Sequence, residues 1–252
     1  MREAKTVLKL IKNLLEKRSA RRKEGRFVVE GPHLVAEAGD KLECLVYCEN
    51  LPEVQKLETK GVPGYKISRQ QFEDLSGVEA PQGVLGVVKE FGYGYRDLLK
   101  GDKTLIVYCL GVQDPGNLGT IIRSADAFGA SGVVVSKGTV DLYNPKVVRS
   151  TMGSLFHLPI VITEDDGATV KYLRERKVKL ISTDAAGKKD LSEAKLKGPV
   201  AILLGNEGRG LPAEVSKLAD ETVRIPMAGR AESLNVGMAA SVLLYEALRQ
   251  RA

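Results

Sequence analysis

From Thr104 onward the chain alternates short apolar runs with longer amphipathic stretches, and this alternation restricts the fold more than any other feature of its 252 residues. Runs rich in Val, Ile and Leu at 104–110, 132–136, 158–162, 178–183, 200–204 and 222–225 have the length of strands. Helical patterns fill the gaps, notably 118–128, closed by Gly129, and 234–249. Strands this apolar are buried on both faces, and strands separated by helices are joined by crossovers that leave their neighbours parallel. The expectation is an α/β domain on a mostly parallel sheet, spanning 102–252.

The preceding residues carry a looser version of the same pattern. Val7, Leu8, Ile11, Leu14 and Leu15 recur at helical spacing, with Lys9, Lys12 and Lys17 on other faces. Phe27-Val28-Val29-Glu30 reads as a strand closed by the Gly31-Pro32 turn, followed by a helix over 33–38. Further strands are expected at 42–48, 64–67 and 84–88, which makes 1–95 a smaller α/β domain. Phe91-Gly92-Tyr93-Gly94-Tyr95 is the linker candidate. Its aromatics fit a packed hinge better than a platform for stacking RNA bases.

Charge is unevenly placed. Residues 1–30 contain ten Lys and Arg against four Glu, an excess equal to the +6 of the whole chain. Positive charge gathered at one end is the footprint of a polyanionic partner, and the alternative is a solvated helix face. Arg18, Arg21, Arg22, Lys23 and Arg26 are the candidates for binding such a polyanion. Cys44 and Cys48 read as two small residues on one strand face rather than a metal clip, because neither His33 nor His157 has metal-motif spacing and no second Cys pair completes a tetrahedral set. Metal is not expected. The longest apolar runs fall far short of the roughly 20 residues that cross a bilayer, and no apolar core with a cleavage site marks the N-terminus as a signal peptide. A cytoplasmic protein is the expectation.

Three turns in the second half carry the chemistry. They are Gln113-Asp114-Pro115-Gly116-Asn117-Leu118-Gly119 leading to Arg123, then Leu204-Gly205-Asn206-Glu207-Gly208-Arg209-Gly210-Leu211, then Ile225-Pro226-Met227 leading to Ser233-Leu234-Asn235-Val236-Gly237. Each alone is an ordinary Gly/Pro turn presenting a few polar side chains. Asn117 stands where it can cap the helix after it, and Ser233 where it can cap the last helix, with Asn235 in its first turn. The first strand is not followed by the Gly-x-Gly-x-x-Gly loop of common dinucleotide and methyltransferase sites.

Together the three motifs resemble the signature motifs of the SpoU/TrmH family of RNA 2′-O-methyltransferases, which use S-adenosylmethionine as methyl donor. The resemblance runs from about Thr104 to the C-terminus. It implies a fold with a deep trefoil knot, which no chain-topology rule predicts. It implies that the donor is held largely by main-chain groups around Leu204, Gly205, Asn206, Gly208, Ile225, Met227, Ser233 and Leu234, with Thr183-Asp184-Ala185-Ala186-Gly187 as a further lining loop. Arg123 matches the residue that acts on the 2′-hydroxyl and Asn117 the one that positions it. Glu207, Ser233 and Asn235 match site residues, and Ser154 is a secondary candidate. Residues 27–31 and the stretch after them resemble the L30e-like substrate-binding domain that precedes the catalytic domain in several members. Homodimers are implied, with the C-terminal helix in the interface. The extra domain favours ribosomal over transfer RNA by analogy. The rival readings are a non-catalytic RNA-binding protein of the same fold and a ribose methyltransferase directed at tRNA.

Overall fold

The computed structural model describes residues 2–184, 187 and 189–252. They form two compact units, Met1–Phe91 together with Tyr143–Phe156, and Gly92–Leu142 together with His157–Ala252. The sequence expectation divides the chain linearly at 95 and 102. The compact units differ from it in two respects: residues 92–95 fall in the second unit, and residues 143–156 pack with the N-terminal unit.

The first unit begins with α1 (Arg2–Glu16) and α2 (Arg18–Glu24), then β1 (Arg26–Glu30), α3 (Pro32–Ala38), β2 (Leu42–Tyr47), α4 (Pro52–Thr59), β3 (Gly64–Lys66), α5 (Arg69–Leu75) and β4 (Val84–Lys89). The sheet order is β1-β4-β2-β3. β4 pairs antiparallel with both β1 and β2, and β3 joins β2 in parallel. Ile11 and Leu14 of α1 are fully buried against Val28, Val46, Leu85 and Val87, so the amphipathic helix read from the sequence is a core element. Cys44 and Cys48 are unpaired and half-buried beside the same cluster, and burial pushes the Cys44 thiol up to about 11.

Two of the candidate RNA-binding cations have partners within the protein. Arg21 is 4% exposed, and its Nη1 donates to the carbonyls of Leu14 (2.6 Å) and Leu15 (3.4 Å). A helix end leaves its last carbonyls without partners, and Arg21 supplies donors to those of α1. Arg26 pairs with Glu43 and donates to the Glu24 carbonyl at 3.1 Å. Arg18, Arg22 and Lys23 are exposed.

The second unit runs through β5 (Leu105–Cys109), α6 (Pro115–Ala127) and β6 (Gly132–Val135). The chain then returns to the first unit through α7 (Pro145–Ser150). There Tyr143 stacks on Phe27 with ring centroids 4.6 Å apart, and Arg149 lies 3.8 Å from the buried Glu30. Ser154 is buried in the same segment.

The second unit resumes with β7 (Ile160–Ile162), α8 (Asp166–Glu175), β8 (Lys179–Thr183), β9 (Lys189–Asp190), β10 (Val200–Leu204), α9 (Ala213–Ser216), β11 (Glu221–Arg224) and α10 (Val236–Arg251). Seven strands form one sheet in the order β7-β6-β5-β10-β8-β11-β9, and every pairing is parallel. Ile106, Tyr108, Leu110, Ala201 and Leu203 share a core with Val170, Leu173 and Val215, which places α8 and α9 on that face. Leu105, Val107 and Cys109 point the other way and are equally buried, because side chains alternate along a strand.

α6 and α10 lie along each other. Gly237 approaches Thr120 so closely that a Cβ would sit 3.1 Å from it, Ser124 and Ser241 share a hydrogen bond of 2.7 Å, and Phe128 meets Tyr245 edge-on. Contacts that advance four residues on both helices mark a parallel pair. Among the described residues no helix is long and apolar enough to cross a membrane.

Candidate active site

Parallel strands deliver their loops to one edge of the sheet, and the three motifs meet there. β10 runs into the loop 205–211, which closes on itself through reciprocal backbone bonds of 2.9 Å between Asn206 and Gly210. The Asn206 side chain ties it down twice. Its Oδ1 accepts from the amides of Gly208 and Arg209, and its Nδ2 donates to the Gly111 carbonyl at 2.9 Å. The family resemblance puts Gly205 among the main-chain contacts of the donor, and the loop itself supplies a further reason for glycine there. A Cβ there would lie 2.3 Å from the backbone of Gly210, so glycine is required by the loop's own return.

That loop presents Glu207 to the first motif. Its carboxylate accepts from the backbone amides of Gln113 (3.1 Å) and Asp114 (3.1 Å) and from Asn117 Nδ2 (2.9 Å). Partial desolvation works to raise this carboxyl, but the hydrogen bonds from Asn117, Asp114 and Gln113 outweigh it and hold the group below the usual carboxylate range. With its amide nitrogen turned to Glu207, Asn117 offers Oδ1 to Asn235 Nδ2 at 2.8 Å. Asn235 Oδ1 in turn accepts from the amides of Gly237 and Met238. The chain Glu207–Asn117–Asn235 therefore links all three motifs, and each amide's orientation is fixed by the next.

The capping expectations are corrected on both helices. Asp114 caps α6, accepting from the Asn117 amide at 2.8 Å with Pro115 in the first turn, and Asn117 sits three residues in with its side chain free for the network. Asn235, not Ser233, caps α10.

A cavity of about 650 Å³ opens beside this network at the ends of β8, β10 and β11. Thr183, Asp184, Leu204, Gly205, Asn206, Gly208, Ile225, Met227, Ser233 and Leu234 all line it, as do Glu207 and Asn235. Ala185 and Ala186, expected in the same wall, lie outside the described residues. Ser182, Ser216, Val223 and Ala239 also line it and carry no motif that would have singled them out. The volume falls within the roughly 300–1,000 Å³ of small-ligand sites. Apolar Leu204, Ile225, Met227 and Leu234 beside the polar Thr183, Asp184 and Ser233 suit a ligand with a flat ring and a polar tail.

Two candidates stand apart. Arg123 is exposed on α6, six residues beyond Asn117, and does not line the cavity. It shares an exposed stripe with Gly116, Thr120 and Ala127. Ser154 belongs to the first unit and does not line the cavity either. Among the described residues no group of three or more His, Cys, Asp or Glu is placed to hold a metal.

Residues 104–245 match the model of the SpoU rRNA methylase family, and residues 5–86 that of an MRM3-like substrate-binding domain. The chain belongs to the SpoU rRNA methylase family. It is 37% identical over 236 residues to the 23S rRNA (guanosine(2553)-2′-O)-methyltransferase RlmP of Bacillus subtilis (strain 168), covering 92% of each chain. It is 36% identical over 252 residues to a 23S rRNA (uridine(2479)-2′-O)-methyltransferase of Streptomyces viridochromogenes, covering 94% of this chain and 88% of the relative. The crystal structure of the SpoU methyltransferase AviRb from Streptomyces viridochromogenes, in complex with AdoMet, superposes with a TM-score of 0.89 at 33% identity, covering 96% of this chain and 97% of that one.

Proposed function

We propose that this chain transfers a methyl group from S-adenosylmethionine to a ribose 2′-hydroxyl of ribosomal RNA, in the cytoplasm. The observation that carries the reading is the Glu207–Asn117–Asn235 network on the rim of a ligand-sized cavity, in a chain whose relatives at 36% and 37% identity are 23S rRNA 2′-O-methyltransferases. Leu204, Ile225, Met227 and Leu234 would hold the donor's adenine, and Thr183, Asp184 and Ser233 its polar groups. When bound, the donor would supply a methyl on a cationic sulfur: the carbon–oxygen bond forms as the carbon–sulfur bond breaks, S-adenosylhomocysteine is left, and the hydroxyl proton passes to solvent. The residues of this chain then have two tasks, to align the hydroxyl and to favour charge on its oxygen.

Asn117, locked at both ends of its amide, gives the network its rigidity. Arg123 is the group that meets the hydroxyl. A guanidinium keeps its proton at any ordinary pH, so its contribution is to orient the oxygen and stabilise its developing negative charge.

Two copies would complete the site. Met238, Val242, Tyr245 and Leu248 form an exposed apolar stripe along α10, at spacings of four, three and three. Scattered apolar residues on a surface are ordinary, but a contiguous stripe along a helix fits a partner's helix. Arg123 lies on the neighbouring α6, so homodimerisation through this stripe would enclose it. The test is transfer of labelled methyl from S-adenosylmethionine to total RNA, followed by mapping of the product. Label at a ribose 2′-oxygen of 23S rRNA supports the reading. Label on a base, label in tRNA only, or donor binding without any transfer defeats it.

A further inference from the structure

A second cavity, of about 730 Å³, lies on the other side of the loop 205–211 and has no part in the donor reading. It opens where β5, β6 and β10 end. The loop after β5 leads to α6, whereas the loop after β10 leads to α9 on the face that carries Ile106 and Tyr108, so the two loops part from each other. Crevices of this kind, at the carboxyl ends of parallel strands where successive connections diverge, are where open α/β sheets take ligands.

Its floor is fixed from three sides. The Gly111 amide donates to Ser136 and Thr139, its carbonyl accepts from Asn206, and the Gln113 side-chain amide donates to the Gly138 carbonyl. These bonds leave acceptors facing the opening. Tyr108 donates to one oxygen of Asp166 at 2.6 Å and so aims the carboxylate, whose other oxygen has no protein partner among the described residues. Gln113 has committed its NH₂ and retains its amide oxygen. Two cations frame the same cavity, namely Lys137, whose nearest carboxylate is Glu164 at 3.9 Å, and Arg209, whose guanidinium has no protein partner among the described residues.

Resting on the reading of the first cavity as a donor site, we propose that this second cavity takes an RNA nucleotide next to the methylated one, with Asp166 and Gln113 accepting from its base and Lys137 and Arg209 holding its phosphate. Acceptors at the floor select a base that donates. Guanine does so best, because its N1–H and N2–H lie side by side and can be shared between the free oxygen of Asp166 and the amide oxygen of Gln113. Proteins that read single-stranded RNA do so on such edges of splayed bases. The site is thus a determinant of which sequence is methylated, separate from the residues that act on the hydroxyl.

The test titrates guanosine 5′-monophosphate into the full chain already saturated with S-adenosylhomocysteine, with amide chemical shifts as the readout. Shifts should appear at Gly111, Lys137 and Gly138, and inosine 5′-monophosphate, which lacks the N2 amine, should bind about tenfold more weakly. Lys137→Gln should weaken the guanosine nucleotide severalfold and Asp166→Asn about tenfold, both without change in S-adenosylhomocysteine affinity. Lys137 is a surface side chain, so its variant keeps the test valid if Asp166→Asn fails to fold. Absence of nucleotide binding to the saturated protein, or binding that neither variant weakens, overturns the proposal while leaving the donor reading intact. Failure of S-adenosylhomocysteine itself to bind would instead defeat the donor reading.

Discussion

Where the strands of the large sheet begin, Glu221 sits between Lys179 and Lys189, Asp220 accepts from Arg174 and from the Leu180 amide, and Arg251 donates to four carbonyls. Where the strands end, the Arg209 guanidinium has no protein partner among the described residues and Glu207 is held by amides alone; Arg123, two turns along the helix that leaves β5, has no partner among them either. One sheet therefore treats charge in two ways. At the first edge these groups find their hydrogen-bond partners within the chain, as stability demands of groups drawn away from water. At the second, Arg209 is left without a countercharge beside a framework of neutral hydrogen bonds. That arrangement suits groups whose partner arrives with a substrate.

The sharpest way to break this contrast is at Arg123. If it aligns the ribose oxygen, Arg123→Ala and Arg123→Lys should both bind donor normally yet lose single-turnover transfer by about a hundredfold or more, the scale of a lost oxyanion donor. Lysine fails because a point charge lacks the paired donors of the planar guanidinium. Near-normal transfer by the lysine variant would reduce the role of Arg123 to charge alone. Since the Arg123 guanidinium has no partner among the described residues, neither variant should shift the melting temperature appreciably.

Arg251 tests the opposite edge and should give the converse result. Its guanidinium donates to the carbonyls of Leu196 (2.9 Å), Lys103 (3.1 Å), Thr104 (3.1 Å) and Gly198 (2.6 Å). Burial lowers its pKa, and the four carbonyls offer no countercharge. Arg251→Ala leaves these carbonyls without their donors and should cost about 2–4 kcal/mol. For a chain of this size that corresponds to a fall of roughly 5–15 °C in thermal midpoint. Donor affinity measured well below the transition should be unchanged. A variant that melts normally but loses donor binding would mean the last helix serves the cavity rather than the fold.

Apart from β9, the strands of both units were legible, most of them because Val, Ile and Leu runs have few alternatives in a folded chain. What sequence reading missed has physical causes. Asp114 and Asn117 are both good caps three residues apart, and the Pro115 that favours Asp114 was the stronger local signal. Ser233 and Asn235 pose the same ambiguity two residues apart. Arg21 looks like its neighbours Arg22 and Lys23 in a string of letters, and only the packing of α2 beside the end of α1 turns it inward. β9 is two residues long and carries no periodicity. Nothing local marks 143–156 as packing with the first unit, because that depends on the partners of Tyr143 and Arg149. The meeting of three motifs at one edge was legible only through family resemblance, since no spacing rule joins residues 117, 207 and 235.

Glu207 sharpens the comparison through pH. Its folded pKa is depressed by its hydrogen bonds, so the stability it contributes is present in full above its ordinary value of 4.5 and is lost as pH falls through the folded value. Glu221 at the other edge is depressed too, against its own desolvation, through Lys179 and Lys189. The two differ in their partners. Raising salt should screen the lysine pairs and leave the neutral donors around Glu207 largely unaffected. Melting curves of Glu207→Gln and Glu221→Gln against the parent should therefore show a gap that is constant above about pH 5 and closes on acidification. Only the Glu221 gap should shrink with salt. A salt-sensitive Glu207 gap would reveal a cation acting on that carboxylate.

The smallest expected effect separates exposed from buried cations of the basic N-terminus. Arg18 and Lys23 are exposed, whereas Arg21 is buried against the end of α1. If the exposed pair binds RNA phosphates, replacing both by Gln should weaken RNA binding severalfold. It should also flatten the dependence of log affinity on log salt by about 0.7–0.9 for each phosphate no longer neutralised, because every such pairing releases its share of condensed counterions. Arg21→Gln should leave that slope alone and instead destabilise the first unit by about 1–3 kcal/mol, through carbonyls that lose a charged donor. An unchanged slope in the double variant would assign Arg18 and Lys23 to solubility. A slope that fell with Arg21→Gln in folded protein would mean that α2 must open to let RNA reach the buried guanidinium, and the packing of α1 against α2 would then be part of recognition.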